Sequence, residues 1–128
     1  MKRRIVLTGA FIGMLAIILG AFGAHLLKKY LSVDQLNTFE VGIRYQMYHA
    51  LFLLFLSTQK DIAEKTLKTI YNFVVAGVIL FSGSIYVLAT KDYTLFESKI
   101  IVFATPVGGF LLIIAWTLLF FTILKRKS

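Results

Sequence analysis

The sequence has no cysteine, a single proline and only six acidic residues in 128. Without cysteine there are no disulfides, no thiolate metal ligands and no thiol nucleophile. The six acids, Asp34, Glu40, Asp61, Glu64, Asp92 and Glu97, all fall in loops or at the ends of apolar runs. No buried carboxylate pair is therefore available for acid–base catalysis. No stretch is rich in proline or serine, so nothing reads as a linker, and residues 1–128 form one domain. Charge itself is scarce. Asp, Glu, Lys and Arg make up 16% of the chain against 59% hydrophobic residues, and mean hydropathy is +0.83. Soluble domains carry about one-quarter charged residues, so this composition excludes an ordinary water-soluble globule.

What is present is apolar length. A membrane-crossing helix takes about 20 mainly apolar residues, and four segments suit that role: 5–27, 39–57, 70–89 and 100–124. A cleaved signal peptide competes for the first, given its basic start Lys2-Arg3-Arg4 and the small residues around Ala21 and Gly23. The run is long for such a peptide, and the reading retained is a membrane span. The second segment is the weakest, because it holds Glu40, Arg44, Gln46 and His49. The expected fold is all-α, an integral membrane bundle of four transmembrane helices.

Loop charge sets the expected orientation. With four spans, Lys2, Arg3, Arg4, Lys60, Lys65, Lys68, Lys125, Arg126 and Lys127 share one side. Only Lys28, Lys29, Lys91 and Lys99 lie on the other. Both termini are thus expected in the cytoplasm, with the chain in the bacterial cytoplasmic (inner) membrane. If the second segment failed to cross, the basic termini would part and the bias would vanish. The net charge of +8 is carried at the ends of apolar runs. That pattern suits anionic lipid on the cytoplasmic side rather than nucleic acid.

Small residues mark expected packing faces. Gly9, Gly13, Ala16, Gly20 and Ala24 recur at spacings of three or four and form one stripe on the first helix. Such stripes let helix backbones approach closely in lipid, which places this helix at the centre of the bundle or at a subunit interface. Gly83, between Ser82 and Ser84, is expected to pack in the third span. Pro106, inside the fourth, is expected to kink it.

The residues expected to carry chemistry lie in the second span and around it. Glu40 and Arg44 stand four apart, the spacing of an intrahelical ion pair, and are placed near the outer end of that span. An arginine at mid-membrane would cost on the order of 3 kcal/mol or more. At 100° per residue, Glu40, Arg44, Tyr45, Tyr48 and His49 fall within one half of the helix, a half expected to face protein or water. The candidate ligand-binding residues are His25, Arg44, Tyr45, Tyr48, His49, Ser84 and Tyr86. Two histidines at unequal depth make a poor metal site, so no metal or other cofactor is expected.

Four segments also carry a resemblance: Gly20-Ala21-Phe22-Gly23-Ala24-His25, Tyr45-Gln46-Met47-Tyr48-His49-Ala50, Phe81-Ser82-Gly83-Ser84-Ile85-Tyr86 and Thr105-Pro106-Val107-Gly108-Gly109. In this order across nearly the whole chain, they resemble the small bacterial membrane family known as domain of unknown function 423, related to animal transmembrane protein 256. The resemblance implies a four-span inner-membrane protein and no particular mechanism.

Three functional readings follow. One is a module that binds or transports a small anionic solute or lipid through a polar site in the bundle. The second is a structural or assembly subunit of a membrane complex, without a ligand of its own. The third is a haem protein or enzyme that uses the histidines. The partners expected are the bilayer and its anionic lipids, together with a second copy of the chain or another membrane protein.

Overall fold

The computed structural model describes residues 1–93 and 98–126. Among them there are four long helices and no strand. Helix α1 spans Lys2–Leu27, α-helical over Lys2–Ile18 and Ala24–Leu27 with a π-helical stretch, Leu19–Gly23, between them. Helices α2 (Val33–Thr58) and α3 (Glu64–Ala89) follow, then a 3-10 turn at Lys91–Tyr93 and α4 (Ser98–Lys125).

Helix α2 starts six residues ahead of the expected segment, and its cap supplies the reason. The Ser32 hydroxyl accepts from the Gln35 backbone N–H at 3.1 Å, and the Gln35 side-chain oxygen accepts from the Ser32 N–H at 2.9 Å. This reciprocal capping box satisfies two amides that the first turn leaves without helical partners. Helix α3 starts early too, with Glu64 in its first turn, where an acid meets the positive end of the helix dipole. At 26 residues each, α2 and α3 are about 39 Å long. By length and apolarity α1, α3 and α4 are able to cross a membrane. Helix α2 has the length, with a polar middle.

Neighbouring helices pack in chain order: α1 on α2, α2 on α3, α3 on α4. The small-residue stripe of α1 faces α2. A Cβ at Gly9 would touch Leu53, one at Gly13 Ala50, one at Gly20 Ile43, and one at Gly23 Phe39. These pairings fix an antiparallel register in which α1 and α2 run side by side for most of their length. Ala16 is buried in the same seam and Ala24 is half-buried.

The main apolar core includes Ile5, Leu53, Leu56, Leu67, Val74 and Ala115. These lie early in α1 and α3 and late in α2 and α4, so the core sits toward the end that carries both termini. The accessible surface of 8322 Å² exceeds the roughly 6,900 Å² expected of a compact soluble protein of this mass. Large side chains such as Phe11, Phe22, Phe103 and Phe110 point outward, as a lipid solvent permits.

Gly83 does not pack as expected: a Cβ there would meet nothing within 4 Å. The close approaches are elsewhere. A Cβ at Gly42 would lie 2.6 Å from the Tyr86 ring, and one at Gly108 would overlap the backbone of Leu80 and Phe81. A ring can tilt; a helix backbone must be pushed away. Pro106 lies inside the continuous helix α4, two residues before Gly108.

Gly108→Ala should therefore separate α3 from α4 and cost about 1–3 kcal/mol, the usual penalty for overpacking. Gly83→Ala should be neutral or slightly stabilising. Thermal unfolding of the two variants in the same mild detergent gives the comparison.

Candidate functional site

The middle of α2 carries two polar positions on its buried face. Phe39, Gly42, Gln46, His49, Leu53 and Leu56 are all buried, at alternating spacings of three and four that draw one stripe along the helix. In hydrocarbon no water satisfies a buried amide or imidazole, so Gln46 and His49 must find partners on neighbouring helices.

Both do. The Gln46 amide donates to the Ile12 carbonyl of α1 at 2.9 Å, and its oxygen accepts from the Tyr86 hydroxyl of α3 at 2.6 Å. One side chain thus ties three helices. Every residue has a backbone carbonyl to offer, but the Ile12 carbonyl is reachable because Gly9 and Gly13 bring α1 close. Four residues along, the Ser82 hydroxyl donates to the Gly42 carbonyl at 2.8 Å, across the contact that Gly42 leaves open.

His49 holds α4. Its Nδ1 lies 2.6 Å from the Tyr45 carbonyl, one turn back, and its Nε2 accepts from the Trp116 indole N–H at 3.0 Å. A carbonyl partner requires the proton on Nδ1, and an indole donor requires a bare Nε2. Both partners select the same neutral tautomer. Phe52 stacks edge-on against Trp116, ring centres 4.5 Å apart. Ser84 bonds the Phe81 carbonyl at 2.9 Å and the Thr105 hydroxyl of α4. Thr8 and Tyr71 share a 2.8 Å hydrogen bond between α1 and α3.

Of the seven residues singled out from sequence, His49, Ser84 and Tyr86 belong to these clasps, and each clasp is separate. His25, Arg44, Tyr45 and Tyr48 are exposed. The seven do not converge on one pocket. The expected Glu40–Arg44 ion pair is not formed; among the described residues the one salt bridge joins the Met1 amino group to Glu64 at 3.9 Å. Among the same residues no three of His, Asp and Glu gather as metal ligands.

Gln46, Ser82, Thr105 and Trp116 were not singled out. For Gln46 a signal existed, its place in the three–four stripe with Phe39, Gly42 and His49. Trp116 lies 67 residues from His49, and only the packing of α4 brings them together.

Two concavities lie between α1 and α3. One is an apolar groove of about 400 Å³ lined by Phe11, Ile12, Leu15, Val78, Ile79 and Gly83, among others, with Gln46, Ser82 and Tyr86 also on its wall. Phe11 and Ile79 are outward-facing, so the groove opens sideways to the surroundings of the helices. The other, of about 560 Å³, lies at the end carrying the termini and is lined by Arg3, Arg4, Leu7, Glu64 and Lys68 with Met1. Thr8 lines both. The apolar groove and the basic concavity thus adjoin at Thr8 along one face of the bundle.

The family model for "Protein of unknown function (DUF423)" matches residues 19–109. Relatives cover nearly the whole chain. A UPF0382 membrane protein of Haemophilus influenzae is 35% identical over 128 residues, 100% of this chain and 99% of the relative. UPF0382 membrane protein YwdK of Bacillus subtilis is 34% identical, with 89% and 90% covered, and UPF0382 inner membrane protein YgdD of Escherichia coli is 32% identical, with 98% and 93% covered. No solved structure matches. With three helices able to cross a bilayer, the protein is a multi-pass protein of the bacterial inner membrane.

The Gln46–Tyr86 clasp should be measurable as a coupling. Tyr86→Phe, Gln46→Leu and the double variant form a cycle, for which interhelical hydrogen bonds in membranes give about 0.6 kcal/mol and at most about 1.7. Unfolding in mixed micelles should return a coupling in that range; additive effects would show that the bond contributes nothing.

Proposed function

We propose, for a chain that belongs to the DUF423 family of membrane proteins, that it crosses the bilayer four times with both termini in the cytoplasm and binds an anionic phospholipid between α1 and α3. The observation that carries the lipid reading is that the apolar groove and the basic concavity lie next to each other, with Thr8 on the wall of both. An acyl chain lies in the groove, entering from the side past Phe11 and Ile79. The phosphate lies among Arg3, Arg4 and Lys68, where the loop charges place the cytoplasmic surface. The head group is held by charge, the tail by apolar contact, and each of the two needs the other's position.

The four-span reading rests on α2. Its register along α1, from Gly9 against Leu53 to Gly23 against Phe39, makes it share the depth of a helix that is apolar throughout. The interior polar residues are consumed by helix–helix bonds, which argues against a polar conduit through the bundle. The same observation favours a second reading, a purely structural subunit whose clasps lock packing.

The absence of native cysteine makes topology simple to test. Lys29→Cys and Ala63→Cys flank α2 on opposite sides. In intact cells a membrane-impermeant maleimide should label Lys29→Cys and spare Ala63→Cys until the membrane is opened. Labelling of both from outside would remove the second crossing.

Lipid binding is tested by native mass spectrometry after incubation with phosphatidylglycerol or phosphatidylcholine. Wild-type protein should retain phosphatidylglycerol preferentially. At about 1 kcal/mol per basic residue near a membrane surface, the triple change Arg3→Gln, Arg4→Gln and Lys68→Gln should reduce that preference by one to two orders of magnitude. Gly83→Leu, filling the open space at the groove wall, should lower retention of both lipids. Equal retention of the two lipids by wild-type protein would leave the structural reading standing.

A further inference from the structure

The outer face of α2 is at odds with lipid. Glu40, Arg44, Tyr48, Leu51 and Phe55 are all exposed, at spacings of four, four, three and four. At 100° per residue they fall within an arc of about 80°, centred nearly opposite the buried stripe of Phe39, Gln46 and Leu53. The apolar segment 39–57 by itself puts Arg44 near a membrane surface. The structure places it deeper. With Gly20 against Ile43 and Gly13 against Ala50, Arg44 stands level with about residue 19 of α1. That is roughly 4 Å from the middle of the apolar run 5–27 at 1.5 Å per residue. A guanidinium at that depth on a lipid-facing surface is strongly disfavoured, and no ion pair within the described residues neutralises it.

We propose that this face of α2 docks a second copy of the chain in a parallel, two-fold arrangement. The charges are self-complementary under such symmetry. A two-fold axis along the membrane normal sets Arg44 of each copy beside Glu40 of the other, so both pairs form at once. Helical side chains tilt toward the helix N-terminus, which carries the long Arg44 side chain up the one turn that separates it from the level of Glu40. Below the pair, Tyr48, Leu51 and Phe55 continue the seam with the spacing of a left-handed helix pair. A two-fold partner brings both a carboxylate for Arg44 and aromatic cover, neither of which an acyl chain supplies. The surface is on the opposite side of α2 from its contacts with α1 and α3, so the lipid seat is untouched.

The inference rests on α2 crossing the bilayer, a point that the Lys29→Cys and Ala63→Cys labelling decides separately. Its own test is oxidative cross-linking in native membranes, again on the cysteine-free background. Leu51→Cys and Phe55→Cys should each give a disulfide-linked dimer, and Ile79→Cys, equally outward-facing on α3, should not. In the Leu51→Cys background, Arg44→Glu should lower dimer yield by roughly ten-fold, and adding Glu40→Arg to it should restore the yield. Dimer formation at Ile79 equal to that at Leu51, or no dimer at either α2 position while α2 is shown to cross, would overturn the proposal. Should Arg44→Glu fail to accumulate, the comparison of Leu51→Cys with Ile79→Cys still decides it.

Discussion

The arrangement depends on what hydrocarbon does to the polar middle of α2. A carboxamide and an imidazole buried among the helices have no water to fall back on, and their bonds must come from the protein, in part from neighbouring helices. Gln46 meets that demand with a carbonyl on α1 and a hydroxyl on α3; His49 meets it with an indole on α4. Every other helix is thereby placed relative to α2. Each bond is individually small, about 0.6 kcal/mol on average in membranes, so the clasps do not drive the helices together. They choose the register. Association itself comes from close contact, at Gly9 and Gly42 on the two sides of α2 and at Gly108 between α3 and α4.

Much of this was legible in the residues, and the failures have physical reasons. Helices α1, α3 and α4 announce themselves by apolar length. Helix α2 forms as a helix despite its polarity, and the expectation that it crosses rests on the loop-charge bias, which persists only with four spans. Its start was misplaced because hydropathy sees the membrane-embedded portion alone, while Ser32 and Gln35 begin the helix in polar sequence through a cap. The face was misread for a subtler reason. A half-helix drawn through Glu40, Arg44, Tyr48 and His49 spans two narrow stripes that lie nearly opposite each other, one buried and one outward. Only His49 belongs inside. The small residues were seen, yet composition does not say which of them meets a neighbour. Gly83 faces open space whereas Gly42 and Gly108 sit against other helices, a difference made by tertiary placement. Trp116 and Thr105 were out of reach for the same cause.

The bundle is uneven along its length. Ile5, Leu56, Leu67 and Ala115 close the core at the end that carries the termini. Farther along, α1 follows α2 rather than α3, and the space between α1 and α3 widens into the apolar groove. The Thr8–Tyr71 hydrogen bond stands where the closed part gives way to the open part. The basic side chains of Arg3, Arg4 and Lys68 gather on the terminal side of that boundary, where α1 and α3 both begin.

Two unfilled surfaces then pose one question and receive different answers. The groove between α1 and α3 is apolar at its rim, and its polar wall residues, Gln46, Ser82 and Tyr86, already hold their hydrogen bonds. Nothing in it is harmed by an acyl chain, and the only charge nearby lies at the mouth, where a phosphate belongs. The outer stripe of α2 carries Arg44, to which no carboxylate among the described residues is bound. An acyl chain there would leave the cation unneutralised. The rule that forces Gln46 and His49 to find partners inside the bundle applies equally to Arg44 outside it. With no ion-pair partner among the described residues, Arg44 is proposed to find one in a second copy. Glu40, one turn away on the same face, makes the second copy sufficient.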